Sequence, residues 1–227
     1  MLNNPLKVPV SGMLVFFLAL VFNIAAASDC PGESEEGDQG YLELITKDNG
    51  GNYTKLGWNH CLDGYFTIDT NTGILTSHGG GGLLWYSLRK FRNFVLELDY
   101  MTEMETTNSG IFLRIPNLPS TEDFIHESFE IQILDSTRGG MLHTTGAIYD
   151  AEPPKKTASY GPGKWNHFKI TCQGLHFIVE LNSVVVNDWI AEPRGKVFTH
   201  WPEGYIGVQN HEGGGSIKFR NIRIKEL

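Results

Sequence analysis

The chain has 227 residues with 26 acidic against 18 basic side chains, a formal net charge of −8 and three cysteines. That length suits one domain with a sizeable core, and the scattered basic residues argue against a nucleic-acid footprint or an anionic membrane surface. Cys30, Cys61 and Cys172 are too few and too irregularly spaced for a disulfide framework or a zinc site.

At the start, Lys7 precedes an apolar run from Met13 to Phe22 and then Ala25-Ala26-Ala27. This is the pattern of an export signal cut after Ala27. The run is short for a bilayer span and no later segment is long enough, so no membrane span is expected once the signal is removed. The expected organisation is a signal peptide at 1–27, a flexible mature N-terminus at 28–40 rich in Ser, Asp, Gly and Glu, and one domain at 41–227. The expected location is outside the cytoplasm, periplasmic or extracellular. In an oxidising compartment Cys30 and Cys61 could pair, whereas Cys172 follows Phe168 and Ile170 at period two and should face the core as a small hydrophobe.

From Tyr41 onward the chain consists of short alternating segments broken by Gly, Asn, Asp and Pro, without helical periodicity. Strands are expected at Phe66–Asp69, Gly73–Ser77, Leu83–Tyr86, Phe94–Tyr100, Ile111–Ile115, Phe129–Ile133, Ala147–Tyr149, Asn166–Cys172, His176–Leu181, Val184–Trp189 and Tyr205–Gln209. In the last strand Ile217 and Phe219 fall on opposite parity to Ile222 and Ile224. A bulge near Arg220-Asn221 would bring both pairs to the core and re-aim Arg220. Many short strands with regular turn signals imply an all-β fold: a sandwich, barrel or jelly roll. Two long polar loops, Asn117–Glu127 and Asp150–Lys164, adjoin the strands with the oddest polar residues.

Those polar residues are Arg114, Glu130, Gln132 and Gln209, expected on one sheet face directed away from the core. Carboxylate, amide and guanidinium groups so placed can hydrogen-bond sugar hydroxyls in pairs, while aromatic rings cover the flat faces of a sugar. The plain alternative is an ordinary outer face with a cross-strand Arg114–Glu130 ion pair. Glu130-Ile131-Gln132-Ile133-Leu134-Asp135 also approaches the acid–helper–acid strand of sandwich glycosidases. Here the helper is an amide and the second acid, Asp135, is short, so the close carboxyl pair of a retaining enzyme is not provided. Among eight histidines, His143 lies in the loop before Thr145 and His211 continues the parity of Gln209 at a strand end. Trp85 and Trp201, near glycine and proline loops, are the tryptophans expected nearest to solvent, with core packing the default for the rest.

Asn108-Ser109-Gly110-Ile111-Phe112-Leu113-Arg114, the Phe129–Asp135 segment, Thr145-Gly146-Ala147-Ile148-Tyr149, Gly163-Lys164-Trp165-Asn166, Gly207-Val208-Gln209-Asn210-His211 and Phe219–Leu227 occur in that order. The succession, from about Trp58 to Leu227, resembles the 3-keto-disaccharide hydrolase family. The resemblance implies a concanavalin A-like jelly-roll sandwich of two antiparallel sheets, export from a bacterial cell, and a carbohydrate substrate. It further implies cleavage of a glycosidic bond in a sugar already oxidised at C3, by elimination and hydration or by hydrolysis. Such chemistry needs a base, a group that stabilises an enolate and an acid for the leaving oxygen, rather than a nucleophilic carboxylate. On this reading Glu130, His143 and His211 are the catalytic candidates. Asn108, Arg114, Gln132, Asp135, Tyr149, Gln209 and Arg220 are the substrate-binding candidates. A divalent metal ion that polarises the ketone is compatible with it, without a legible ligand set. The same fold also serves noncatalytic, lectin-like carbohydrate-binding modules, the alternative from a different functional class.

Overall fold

A computed structural model describes residues 36–37, 40–192 and 201–227. The expected signal peptide, most of the stretch 28–40 and Cys30 lie outside the described residues.

The described chain is almost entirely strand. In order it forms β1 (Glu36–Gly37), β2 (Tyr41–Glu43), β3 (Thr46–Lys47), β4 (Tyr53–Thr54), β5 (Trp58–Leu62), β6 (Tyr65–Ile68), β7 (Leu75–His78), β8 (Gly82–Phe91), β9 (Phe94–Thr102) and β10 (Ser109–Ile115). One helical turn, α1 (Phe124–Glu127), precedes β11 (Phe129–Ile133), followed by β12 (Asn166–Gln173), β13 (His176–Leu181), β14 (Val184–Ile190), β15 (Gly204–Asn210) and β16 (Ile217–Glu226). Two antiparallel sheets dominate. The nine-stranded one runs β1-β2-β16-β9-β12-β13-β14 with β6 and β7 joined beside β16, and the five-stranded one runs β11-β10-β15-β8-β5. This is the jelly-roll sandwich expected of the sequence.

Period-two alternation explains the core. Leu96, Leu98, Phe168, Ile170, Phe177 and Val179 from the larger sheet meet Leu84, Ile111, Leu113, Phe129, Ile131 and Val208 from the smaller, all almost fully buried. Cys172 is buried there with them. The parity conflict in β16 resolves as expected. Asn221 adopts φ 53, the register slips between Arg220 and Arg223, and Ile217, Phe219, Ile222 and Ile224 all turn inward. Beyond the bulge β16 changes neighbour, pairing with β7 at Phe219 and with β2 at Ile224.

Two expectations differ. Ala147–Tyr149 is not a strand: only Ile148 bridges, to Ile131 and Glu152, because Gly146 and Asp150 at positive φ turn the chain on either side. Arg114 does not share a face with Glu130. It adopts φ 57 at a register slip between Phe112 and Ile115, which reverses parity. The approaching backbone of β15 permits this only because Gly204 stands opposite, where a Cβ would lie 2.2 Å from the Arg114 carbonyl carbon.

Candidate active site

The outer face of the five-stranded sheet can be read as rows across the strands. One row is Gln132, Gly110, Gln209, Leu83 and Cys61; the next is Glu130, Phe112, Gly207, Trp85 and Asn59. The face therefore divides. Cys61, Leu83, Trp85, Phe112, Ile115 and Phe124 form a second apolar cluster. The 117–127 loop closes over it: Phe124 meets Phe112 edge-on at 5.0 Å between centroids, and the Thr121 carbonyl accepts from Cys61 Sγ at 3.7 Å on the far edge strand. Near β11 the face is polar.

In that polar half Glu130 leans across Gly110. A Cβ built on Gly110 would stand 2.2 Å from Glu130 Oε1, so the glycine is the space that the carboxyl group occupies. In the orientation that satisfies both ends of its amide, Gln132 donates to Glu130 Oε1 at 3.2 Å and to the Ser109 carbonyl at 3.3 Å. Its oxygen then lies 3.0 Å from the Asn108 side-chain amide. Glu130 and Gln132 are both almost fully buried.

The loop after β11 brings two more groups. Tyr149 donates its backbone N–H to the Glu130 carbonyl at 2.9 Å, which fixes the ring beside that residue. Burial, then the negative charges of Glu130 and Asp150, hold the Tyr149 phenol above its ordinary pKa. His143, in a single 3-10 turn at Met141–His143, stacks on Tyr149 at 4.6 Å and 26°. Its Nδ1 lies 2.8 Å from the Gly139 carbonyl, an acceptor, so Nδ1 carries the proton and Nε2 the lone pair. Nε2 is 3.8 Å from Asp150 Oδ1, a carboxylate placed to stabilise the imidazolium once Nε2 has taken a proton. Asn108, Glu130, Gln132, His143 and Tyr149 are thus brought together, and Gln209 stands one strand away across Gly110.

The other candidates go elsewhere. Arg114, turned by its bulge, enters the inter-sheet core, donates from Nη2 to the Arg92 carbonyl at 2.8 Å and lies 5.4 Å from the Phe177 ring centroid. Burial depresses its pKa, and its Nε has no partner. Asp135 accepts from Thr145 Oγ1 at 2.7 Å and Ser159 Oγ at 2.9 Å, tying two loops at a cleft of about 230 Å³ rather than joining Glu130. Arg220, aimed by the β16 bulge, lies on the outer face of the other sheet, with Nε donating to Asp99 at 3.0 Å. His211 follows β15 in register, but its Nδ1 approaches the Glu212 carbonyl at 2.9 Å and the ring is exposed.

Two residues that the sequence reading did not place at the site belong to it geometrically. Asp150 is the acidic neighbour of His143; its own φ of 57 is a tertiary feature with no signal in the sequence. Trp85, expected near solvent, is buried on the outer face one row from Gln209, and its parity with Leu83 would have found it. Its Nε1 and the Gln209 Oε1 are buried without hydrogen-bond partners. Among the described residues no three His, Cys, Asp or Glu side chains gather in a way that could hold a metal ion. Nor is any helix among them long and apolar enough to cross a membrane.

A family sequence model described as a 3-keto-alpha-glucoside-1,2-lyase-like domain matches residues 43–225. No curated protein sequence matches the chain. Among solved structures, a protein of Parabacteroides distasonis with the provisional name glycosyl hydrolase is 26% identical, covering 82% of this chain and 99% of its own, with a TM-score of 0.65. A second from the same organism, with the same provisional name, is 20% identical over 86% of this chain and 97% of its own, with a TM-score of 0.67. A carbohydrate-binding module of Bacillus subtilis, 15% identical over 75% of this chain and 96% of its own, shares the fold with a TM-score of 0.50.

Proposed function

The chain belongs to the 3-keto-alpha-glucoside-1,2-lyase-like domain family, and from that premise we propose that it is an exported enzyme that cleaves 3-keto-glycosides by elimination and hydration. The observation that carries this reading is the contiguous set Glu130, Tyr149 and His143, with a lone pair on His143 Nε2 and a phenol held protonated beside it.

A ketone at C3 acidifies the hydrogen on C2. His143 Nε2 takes that proton, and the C2–H electron pair forms an enolate whose negative oxygen is the former ketone. The Tyr149 hydroxyl donates a hydrogen bond to this oxygen, which is more valuable in a poorly hydrated site than in water. Asp150 steadies the imidazolium. The enolate then collapses: a C1=C2 double bond forms, the ketone returns, and the C1–O bond to the leaving group breaks. Glu130 enters the cycle protonated, burial and Asp150 then being what keeps the Tyr149 phenol up, and as the acid it gives the departing oxygen its proton. Water adds to C1 and a proton returns to C2, so the net change is addition of one water across the glycosidic bond. Asn108 and Gln209 hold the remaining hydroxyls while Gln132, its amide taken up by Glu130, Ser109 and Asn108, keeps Glu130 in place, and a His general base or a carboxyl general acid of this kind contributes about 10²–10⁴-fold each.

The test is incubation of the protein with a 3-keto-disaccharide in D₂O, following monosaccharide release and isotope content by mass spectrometry. The elimination route predicts release with one deuterium at C2 of the keto sugar. Release without C2 deuterium overturns elimination in favour of direct hydrolysis. Retention of the disaccharide without release, persisting in the Glu130→Gln protein, overturns the enzymatic reading in favour of a binding module.

A further inference from the structure

A second concavity, of about 410 Å³, lies on the outer face of the nine-stranded sheet, lined by Asp99, Tyr160, Trp165, Asn182, Ser183 and Arg220 among others. The β16 bulge builds its base. With Asn221 at φ 53, Arg220 is aimed so that its guanidinium lies 4.0 Å from the Trp165 ring centroid while Nε donates to Asp99 Oδ2. The second Asp99 oxygen is 2.9 Å from His167 Nδ1, and Asn221 Nδ2 donates to the first at 2.8 Å. Asp99 is therefore fully engaged and holds the Arg–Trp stack in place.

The walls are fixed in the same way. Asn166 Oδ1 accepts from the Tyr160 N–H and from Asn182 Nδ2, both at 2.8 Å, and Asn182 Oδ1 accepts from the His167 N–H at 2.9 Å. Asn182 Nδ2 also donates to the Ala158 carbonyl at 2.8 Å. Other groups around the concavity are uncommitted. The Arg220 Nη atoms, Ser183 Oγ, Tyr160 Oη and Trp165 Nε1 have no hydrogen-bond partner among the described residues, and Tyr160 is 57% exposed. A rigid frame with free donors and acceptors is what a preformed binding site requires.

Ser183 adds an independent argument. The β13–β14 turn puts Asn182 at φ 51 and Ser183 at φ 66. Glycine would occupy the second position freely, whereas a side chain there costs about 1 kcal/mol. The strain places a hydroxyl on the rim of the concavity. The chemistry of the ligand follows from charge and shape. Arg220 is already balanced by Asp99, which removes the preference for an anion. Aromatic surface from Trp165 and Tyr160 beside a fork of N–H donors and two hydroxyls suits a flat ring with vicinal hydroxyls.

We propose that this concavity binds a neutral sugar, making a second carbohydrate site on the sheet face turned away from Glu130. It is independent of the catalytic reading, since none of its residues touches the Glu130 face. The experiment is NMR titration of the full chain with sucrose, maltotetraose and cellotetraose, reading the Trp165 indole N–H resonance assigned through Trp165→Phe. The expected result is a saturable shift with at least one sugar. It should persist in Glu130→Gln and move to about fivefold higher concentration in Ser183→Gly or Tyr160→Phe, the loss of one hydrogen bond. A thermal melt of Ser183→Gly, in which the turn strain is relieved, should show a folded protein and so separates lost binding from lost folding. A Trp165 resonance unmoved by all three sugars overturns the proposal, as does a titration midpoint that stays at the parent's value in both rim variants, or a shift abolished by Glu130→Gln. Absence of catalytic turnover leaves the titration unaffected, so the two readings fail separately.

Discussion

Gly110→Ala is the sharpest probe of the candidate active site, because it adds one methyl group at a place already filled by Glu130. The new Cβ would stand 2.2 Å from Oε1, 2.7 Å from Cγ and 2.8 Å from Cδ of Glu130. Since the obstacle is the end of a flexible side chain rather than backbone, the strand should persist and Glu130 should swing aside. Holding it off its preferred rotamer costs about 0.5–1.5 kcal/mol. Taking from the buried Gln132 amide its partner at 3.2 Å adds about 1–3 kcal/mol. For a domain of this size, each kcal/mol lowers the melting temperature by about 2–4 °C, so a fall of several degrees is expected. Activity should suffer more. A shift of about 1 Å in a reacting group costs roughly 10²-fold, expressed in kcat while KM changes little. The assay is release of monosaccharide from a 3-keto-disaccharide alongside a thermal melt of the same sample. A Gly110→Ala protein that keeps its parent's kcat would refute the placement of Glu130 as the acid, whatever its melting temperature.

Tyr149→Phe removes only the phenol oxygen. It should lower kcat by about 10²–10³-fold with the fold intact, the cost of losing one donor to a developing oxyanion, and a loss confined to KM would move Tyr149 from chemistry to binding. Arg114→Met takes a charged group with an unpartnered Nε out of the core; the melting temperature should shift, with kcat/KM within about twofold of the parent because the residue lies away from the site. A large loss of activity there would mean that Arg114 faces substrate after all. Acid stability supplies a fourth measurement. Burial alone would raise the Glu97 carboxyl. Hydrogen bonds from Tyr41 and Arg223 and the nearby positive charges outweigh it and leave the pKa below its ordinary 4.5. A pKa lowered by folding gives stability that is present above the unfolded value and lost as pH falls through the folded one. Glu97→Gln should therefore lower stability by about 1–3 kcal/mol at neutral pH and flatten the decline below about pH 4.5. An acid limb of unchanged slope, measured by denaturant titration, would contradict the assignment.

Much of the fold could be read directly because alternation is a local property. The residue order within β9, β11 and β12 contains the pleat, and the parity conflict in β16 is itself the mark of its bulge. The β10 bulge leaves no such mark. Leu113-Arg114-Ile115 continues an apparent alternation, and what turns Arg114 inward is the close backbone of Gly204, about ninety residues later. This is why an arginine that looked like a partner of Glu130 belongs to the core. The same limit explains β5, whose burial pattern is interrupted rather than alternating, and Ala147–Tyr149, whose neighbours turn the chain out of the sheet. At the site, Glu130 and Gln132 were legible from strand parity, Tyr149 from the Thr145–Tyr149 motif, and His143 from its place in the loop just before that motif. The His143–Asp150 relation was not, because it depends on a left-handed turn at Asp150. Arg220 was foreseen as re-aimed, but parity alone does not say which sheet a bulged strand joins.

Gln209 offers the converse of Gly110, a buried side chain whose acceptor the folded chain does not use. Its Oε1 is buried without a partner, and Trp85, one register row away on the same sheet face, carries an equally isolated donor in Nε1. Each such atom costs about 1–3 kcal/mol of stability, and two complementary ones in one small region mark a place where a hydroxyl could accept from Trp85 and donate to Gln209. Gln209→Leu discards the isolated acceptor while keeping the volume. If the amide serves only a ligand, the variant should melt about 2–12 °C higher and bind a 3-keto-disaccharide roughly tenfold more weakly, as expected for losing a buried hydrogen bond to substrate. If the amide instead holds the sheet face together, the variant should melt lower and its binding should fall only as far as unfolding requires. A rise in melting temperature with weaker binding is the combination a structural role does not produce, because removing a structural contact cannot stabilise the chain that needed it.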